Sequence, residues 1–339
     1  MAKVGINGLG RIGRAAMKII LETPGLEFAG ANDIAPLETI AYLIRFDTVY
    51  GRYDKQVEVK EGQLVIDGKA YPYFSERDPA NIPWAKAGAE YVIESTGFFT
   101  RQEDAAKHIQ AGAKTVIISA PAKSKETPQV VHGVNTAAGG AQIFSCASCT
   151  TNCITPVVEI MHRRIGVLKA IMTTVHAYTS TQGLVDGPSK SDVRRGRAAA
   201  ANFVPTSTGA AVATTTVITD LKGKFDGVAI RGPVPVGSIA DIVLVTKRDT
   251  TVDEVNQIFR EEAASERYQG VLGASDDPLV SSDIIGDSRA SVVDLPMTRV
   301  VDGNLVKVMS WYDNEWGFTN QMIREIVSIS EAAEGFKLS

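Results

Sequence analysis

The chain's three cysteines, Cys146, Cys149 and Cys153, all fall within eight of its 339 residues. Such a cluster is a poor disulfide framework for a large protein and a good place for a reactive thiol. The segment Ser145-Cys146-Ala147-Ser148-Cys149-Thr150-Thr151-Asn152-Cys153 runs into apolar positions Ile154, Val157, Val158 and Met161 at helical spacing. The cysteines therefore lie at or just before a helix N-terminus, where the dipole and open amides favour the nucleophilic thiolate. Pro156 leaves two starts open, because a later helix with Thr155 as cap would place it at the first helical position. The C-x2-C-x3-C spacing would suit three zinc ligands, but no fourth Cys or His lies nearby, and no metal is expected. A redox pair of Cys146 and Cys149 lacks the usual fold context. A reactive thiol needs a base. Of the four histidines, His176 sits in the hydroxyl-rich strand end Thr173-Thr174-Val175-His176-Ala177-Tyr178-Thr179 and is the best partner, whereas His108, His132 and His162 fall on helices or loops.

A second constellation opens the chain. Gly8-Leu9-Gly10-Arg11-Ile12-Gly13 follows a strand and begins a helix, and Asp33 stands twenty residues beyond Gly13 at the end of the next strand. Gly8 permits the tight turn, Gly10 lets the backbone approach a pyrophosphate, and Gly13 lets the helix pack on the sheet; the helix N-terminus faces the phosphate charge. An acid at 33 suits ribose hydroxyls and repels a 2′-phosphate, so NAD is expected over NADP.

These groups need a frame. Residues 3–7, 26–32, 91–95 and 115–119 read as strands, with helical patterns at 11–21 and 102–111 between them, which predicts a mostly parallel sheet covered on both faces. Beyond about 150 the strands lengthen, at 170–178, 227–230, 238–246 and 305–312, with helices at 251–265 and 320–330. The expected fold class is α/β, a Rossmann-type doubly wound parallel sheet followed by an α+β domain. No internal repeat or flexible linker separates the two.

Composition narrows the function classes. Lys plus Arg number 35 against 39 Asp plus Glu, a formal net charge of −4, so no general basic field recruits nucleic acid or a membrane. Any bound anion must meet a local cationic site. No apolar run reaches a membrane span and the chain opens as strand and turn, not as a signal peptide, so a soluble cytoplasmic protein is expected. The run Arg194-Arg195-Gly196-Arg197 reads by itself as a solvated basic turn.

Taken together the segments resemble phosphorylating glyceraldehyde-3-phosphate dehydrogenase over essentially the whole chain. Besides the glycine turn, the similarity rests on Ser148-Cys149-Thr150-Thr151-Asn152-Cys153, Val175-His176-Ala177-Tyr178-Thr179, Thr206-Ser207-Thr208-Gly209-Ala210-Ala211 and Trp311-Tyr312-Asp313-Asn314-Glu315-Trp316-Gly317. The resemblance implies a dinucleotide domain at 1–148, with a C-terminal helix of about 315–335 packed on it, and a catalytic domain at 149–314. It implies Cys149 as nucleophile, with His176 as ion-pair and acid/base partner, and oxidation of glyceraldehyde 3-phosphate through a hemithioacetal and thioester that inorganic phosphate cleaves. Thr179 and Arg231 would hold the substrate phosphate. Ser148, Thr208 and Arg195, with Thr150 and Gly209, would hold the attacking one. NAD would meet Gly8, Gly10, Arg11, Ile12, Gly13, Asp33, Arg77, Ser95, Thr96, Gly97 and Ser119, with Asn314 on its carboxamide.

Three positions depart from the commonest pattern of that family. Cys146 stands where Asn is usual, Leu9 where Phe is usual, and Val234-Pro235-Val236-Gly237-Ser238 replaces a stretch that often carries Asn. The resemblance further implies a homotetramer in which a loop over 179–201 lies at a subunit interface. Gly187-Pro188 matches NAD-specific members, while Ser189 and Lys190 are placed to reach a 2′-phosphate. Alternatives kept in view are an erythrose-4-phosphate dehydrogenase, a thiol redox sensor using Cys146 and Cys149, and nucleic-acid binding through the dinucleotide groove.

Overall fold

The computed structural model describes residues 1–137, 140–189 and 192–337. The chain divides into two compact units, one of Met1–His132, Thr136–Ala147 and Met322–Ser339, the other of Gly133–Asn135 and Ser148–Gln321.

The first unit is built on a six-stranded sheet. Its strands run in the order Ile143–Ser145, Thr115–Ile118, Tyr91–Glu94, Ala2–Asn7, Leu26–Asn32 and Tyr73–Phe74, and every pairing is parallel. The central strands carry side chains buried on both faces, such as Val4, Ile6, Val92, Ile93, Val116 and Ile117. That is the composition of a sheet with helices on either side. Strand order reverses at Ala2–Asn7, the first strand, and the adjoining glycine turn leads into the helix Arg11–Glu22. Ligands of doubly wound sheets bind at such a switch point. The helix Leu37–Arg45 and the small antiparallel strands between residues 46 and 71 carry no pattern strong enough to be read from sequence.

The second unit is an eight-stranded mixed sheet. Val167–Ala177 lies at its centre, parallel to Phe225–Gly232 on one side and antiparallel to Ser238–Thr246 on the other, which in turn pairs with Leu305–Tyr312. Along Ser238–Thr246 burial alternates strictly, so Ala240, Ile242 and Leu244 face the core. The helix Cys149–Arg164 covers that face with Cys153, Ile154, Val157, Val158, Ile160 and Met161, all fully buried. The opposite face leaves Leu168, Ile171 and Val228 exposed.

The earlier of the two helix starts is the one adopted. Ser148 is the N-cap, its hydroxyl accepting the Thr151 amide at 3.1 Å, and Pro156 lies inside the helix. Proline there deprives the Asn152 carbonyl of its helical donor. The Thr155 hydroxyl holds the neighbouring turn by donating to the Thr151 carbonyl at 2.7 Å.

Candidate active site

Cys149 is the first residue of its helix, immediately after a capping serine, and it is half-buried. The preceding Ala147 has a φ of 58°, a left-handed conformation that costs a non-glycine residue about 1–3 kcal/mol and persists where the surroundings enforce it. The Cys149 sulfur lies 3.3 Å from His176 Nε2. Burial pushes the thiol up; the nearby Arg231 guanidinium and the hydroxyl and amide of Thr150 pull it partly back. Cys153, one turn later, has no exposure and only long contacts to Ser291 Oγ at 3.8 Å and the Ser310 carbonyl at 3.7 Å, and burial drives its thiol up to about 12. Cys146 is also buried, its thiol pushed up by burial and by the Glu325 charge. None of the three forms a disulfide.

His176 and Arg231 occupy directly paired positions of adjacent parallel strands. Arg231 Nη1 approaches His176 Nδ1 to 2.6 Å and donates to the Ala177 carbonyl at 3.0 Å, while Nδ1 lies 2.7 Å from that same carbonyl. Nδ1 thus faces both a donor and an acceptor: accepting from Arg231 would place the ring proton on Nε2, toward the sulfur, and donating to the Ala177 carbonyl would place it on Nδ1. Burial and the Arg231 charge together hold His176 near 3. Burial thus favours the neutral forms of both partners in this arrangement, while the Arg231 charge favours the thiolate over the thiol.

Tyr312 organises the same place, and nothing in its residue type signalled this. Its hydroxyl bonds Thr150 Oγ1 and Thr174 Oγ1, both at 2.8 Å, and its ring meets His176 edge-on at a centroid distance of 5.9 Å. The signal was alternation, which puts Thr174 and His176 on one face of their strand.

The anion-site residues are distributed differently. Arg195 is partly covered, with Nε donating to Thr206 Oγ1 at 2.9 Å, while Arg194 and Arg197 are exposed. The Arg195 charge reaches Arg231, whose own guanidinium is held down mainly by burial. Thr208 Oγ1 accepts the Ala210 amide at 3.2 Å, and Gly209 is the exposed N-cap of the helix Ala210–Val217. Thr179 turns to Thr181 and Gln182, not to Arg231. The loop over 179–201 holds two 3-10 turns, and Gly196 passes so close to the Gly187 carbonyl that a Cβ would lie 2.1 Å from it. Lys190 lies outside the described residues.

Asn314 is buried, with Oδ1 accepting from the Gly237 amide at 3.2 Å and from Ser238 Oγ at 3.0 Å. Its amide group is thereby oriented to donate. Ser238, from the stretch that departs from the family pattern, supplies that orientation and also accepts the Ala177 amide at 3.1 Å.

In the first unit Gly8, Gly10, Asp33, Arg77, Ser95 and Thr96 line one cavity of about 410 Å³. Gly8 has a φ of +94°, and a Cβ on Gly13 would fall 1.9 Å from the Gly8 carbonyl oxygen. A Cβ on Gly10 would meet no atom within 4 Å, so the turn is open on that side for a pyrophosphate. Asp33 accepts the Leu9 amide at 2.6 Å and the Ala35 amide at 2.9 Å, which locks it to the glycine turn and leaves further lone pairs for hydroxyls. The Arg11 guanidinium points elsewhere, to Asp47 at 2.5 Å. Ile12, Gly97 and Ser119 are not among the cavity's lining residues; the Ser119 amide donates to the Glu94 carbonyl at 3.0 Å. The cavity and its glycine turn fit an adenine dinucleotide. Among the described residues no cluster could hold a metal ion.

Comparison with known proteins agrees across the chain. Residues 2–102 match the family described as glyceraldehyde 3-phosphate dehydrogenase, NAD binding domain, and residues 148–314 match the corresponding C-terminal domain. Glyceraldehyde-3-phosphate dehydrogenase 2 of Streptomyces avermitilis is 47% identical over 325 residues, covering 95% of this chain and 96% of the relative. The glyceraldehyde-3-phosphate dehydrogenase of Clostridium acetobutylicum is 45% identical over 340 residues, covering 98% and 100%. Glyceraldehyde-3-phosphate dehydrogenase 1 of Bacillus subtilis is 46% identical over 324 residues, covering 95% and 96%. With both domains matched and near-complete coverage, the chain belongs to the glyceraldehyde 3-phosphate dehydrogenase family.

Proposed function

We propose that the protein is an NAD-dependent oxidoreductase that converts glyceraldehyde 3-phosphate and inorganic phosphate to 1,3-bisphosphoglycerate, the reaction of glycolysis and gluconeogenesis. The observation that carries this reading is a half-buried cysteine at a helix N-terminus, 3.3 Å from a histidine that is itself in contact with an arginine. The names of the relatives favour the triose phosphate over erythrose 4-phosphate.

In this reading Cys149 adds to the aldehyde carbon and the carbonyl oxygen gains the proton. With Nδ1 donating to the Ala177 carbonyl, Nε2 faces the sulfur as a proton acceptor. His176 then takes the hydroxyl proton as the hemithioacetal becomes a thioester. Bound NAD supplies the hydride acceptor. Phosphate attacks the thioester carbon, the carbon–sulfur bond breaks, and His176 returns its proton to the sulfur. Arg231 and Thr179 serve the substrate phosphate; Arg195, Ser148, Thr208, Gly209 and Thr150 serve the attacking one. Asn314, its amide nitrogen left to donate, would hold the nicotinamide carboxamide. Gly8, Gly10, Arg11, Ile12, Gly13, Asp33, Arg77, Ser95, Thr96, Gly97 and Ser119 hold the rest of NAD, Arg11 through its backbone since its side chain is engaged by Asp47. Residues 1–148 and the C-terminal helix of about 315–335 form the cofactor domain, and 149–314 the catalytic one.

A homotetramer is supported by apolar side chains left in water on the second unit, among them Ile171 at 61%, Phe203 at 70% and Leu184 at 83% exposure. Among the described residues no helix is long and apolar enough to cross a membrane. A cytoplasmic location suits three cysteines outside disulfides. Following NADH formation with NAD, phosphate or glyceraldehyde 3-phosphate omitted in turn tests the function. Full rate without phosphate would refute it.

A further inference from the structure

Glu94 ends a central strand of the first unit and is 1% exposed. Among the described residues no Lys or Arg pairs with it. Its two oxygens instead receive four neutral donors, the full complement of an ionised carboxylate. Oε2 accepts from Asn7 Nδ2 at 2.6 Å and lies 2.9 Å from His108 Nε2; Oε1 accepts the Thr96 amide at 2.8 Å and the Thr96 hydroxyl. The His108 tautomer is fixed from behind, because the Trp84 indole donates to His108 Nδ1 at 2.9 Å and indole nitrogen can only donate. Nε2 must therefore carry the proton and give it to Glu94. Trp84 and His108 have no exposure at all and do not line the dinucleotide cavity.

The acceptors on Glu94 govern three walls of that cavity. Asn7, held by its amide nitrogen, presents Oδ1 to Asn32 Nδ2 at 2.8 Å, and Asn32 in turn clamps the backbone of Glu76, accepting its amide at 2.8 Å and donating to its carbonyl at 2.9 Å. Thr96, held at its amide and hydroxyl, accepts the Phe98 amide at 3.1 Å on its hydroxyl oxygen. Asn7, Asn32, Glu76, Thr96 and Phe98 all line the cavity.

We propose that Glu94 is a positioning residue for the dinucleotide site, and that His108 and Trp84 set cofactor affinity from outside the cavity by fixing the donors Glu94 receives. This rests on reading the cavity as the NAD site. Charge alone would not accomplish it. A glutamine at 94 brings a donating amide against a set of donors, and the wall that loses its acceptor relaxes. Glu94→Gln should weaken NAD binding about tenfold, because the relaxed wall must be re-ordered when NAD binds. His108→Leu, which removes a donor without entering the cavity, should weaken NAD binding several-fold, whereas His108→Gln, able to accept from Trp84 and donate to Glu94, should bind nearly as the unmodified protein does. For each variant kcat at saturating NAD and the KM for the sugar phosphate should stay unchanged.

The experiment is calorimetric titration of NAD into the unmodified protein and the three variants, with circular dichroism to establish folding. No binding by the unmodified protein would overturn the reading of the cavity. Normal binding there together with unaltered affinity in folded Glu94→Gln and His108→Leu would overturn the positioning role. So would equal affinities of His108→Leu and His108→Gln, which decide the matter if Glu94→Gln does not fold.

Discussion

His176 and Arg231 face one another across two parallel strands, and a guanidinium nitrogen of the arginine sits 2.6 Å from His176 Nδ1. Burial and the Arg231 charge together lower the His176 pKa.

Arg231→Leu removes a cation that stabilises the thiolate and repels the imidazolium. Thiol and imidazole pKa values should therefore both move up, and the pH profile of Cys149 alkylation by iodoacetamide should shift to higher pH on both limbs. The same substitution should mainly raise KM for the sugar phosphate, and Arg195→Leu mainly KM for inorganic phosphate. Steady-state titrations with identical patterns in the two variants would mean one shared anion site.

Cys149→Ala should abolish turnover and leave NAD binding nearly intact. Cys153→Ala should keep most activity, because that thiol is sealed from solvent and pushed up to about 12. Equal losses in the two variants would move the nucleophile elsewhere.

His176 gives a pH signature in stability. Its folded pKa is held near 3, below the value of about 6.5 expected when unfolded, so its contribution is fully present above 6.5 and is lost as pH falls toward 3. Between pH 7 and 4 the melting temperature should fall more steeply in the unmodified protein than in His176→Asn; parallel curves would refute the depressed pKa. The same variant should slow acylation about 10²–10⁴-fold, the usual worth of a positioned acid/base.

The glycines of the turn should separate folding from binding. Gly13→Ala forces a methyl against the Gly8 carbonyl and should cost stability, on the order of 1–3 kcal/mol as for overpacking. Gly10→Ala meets no protein atom and should leave the melting temperature unchanged while weakening NAD. Thermal melts and NAD titrations on both variants check this, and equal melting-temperature losses would contradict it.

Asp33→Gly should narrow the preference for NAD over NADP, since an ionised carboxylate near a 2′-phosphate costs on the order of 1–4 kcal/mol. It should also weaken NAD itself, because Asp33 anchors the Leu9 amide of the turn. Comparing kcat/KM for both cofactors in the two proteins checks the point, and an NADP preference in the unmodified protein would reverse it.

The features legible in the linear order of residues are those that depend on local chemistry. Glycine spacing and a following acid identified the dinucleotide turn, strand and helix periodicity identified a parallel sheet, and a cysteine cluster before an apolar helix marked a place for a reactive thiol, because each of these is a property of neighbouring residues. Tertiary structure decided what requires residues far apart to meet. That His176 pairs with Arg231, that Tyr312 bridges Thr150 and Thr174, and that Ser238 orients Asn314 are consequences of strand register. The electrostatic surroundings of Cys149 and His176 were likewise hidden, because burial and a guanidinium brought from another strand set them, and a linear pattern records neither. The buried chain from Trp84 through His108 to Glu94 belongs to the same class, since hydrogen bonds between strand, helix and loop leave no periodic trace.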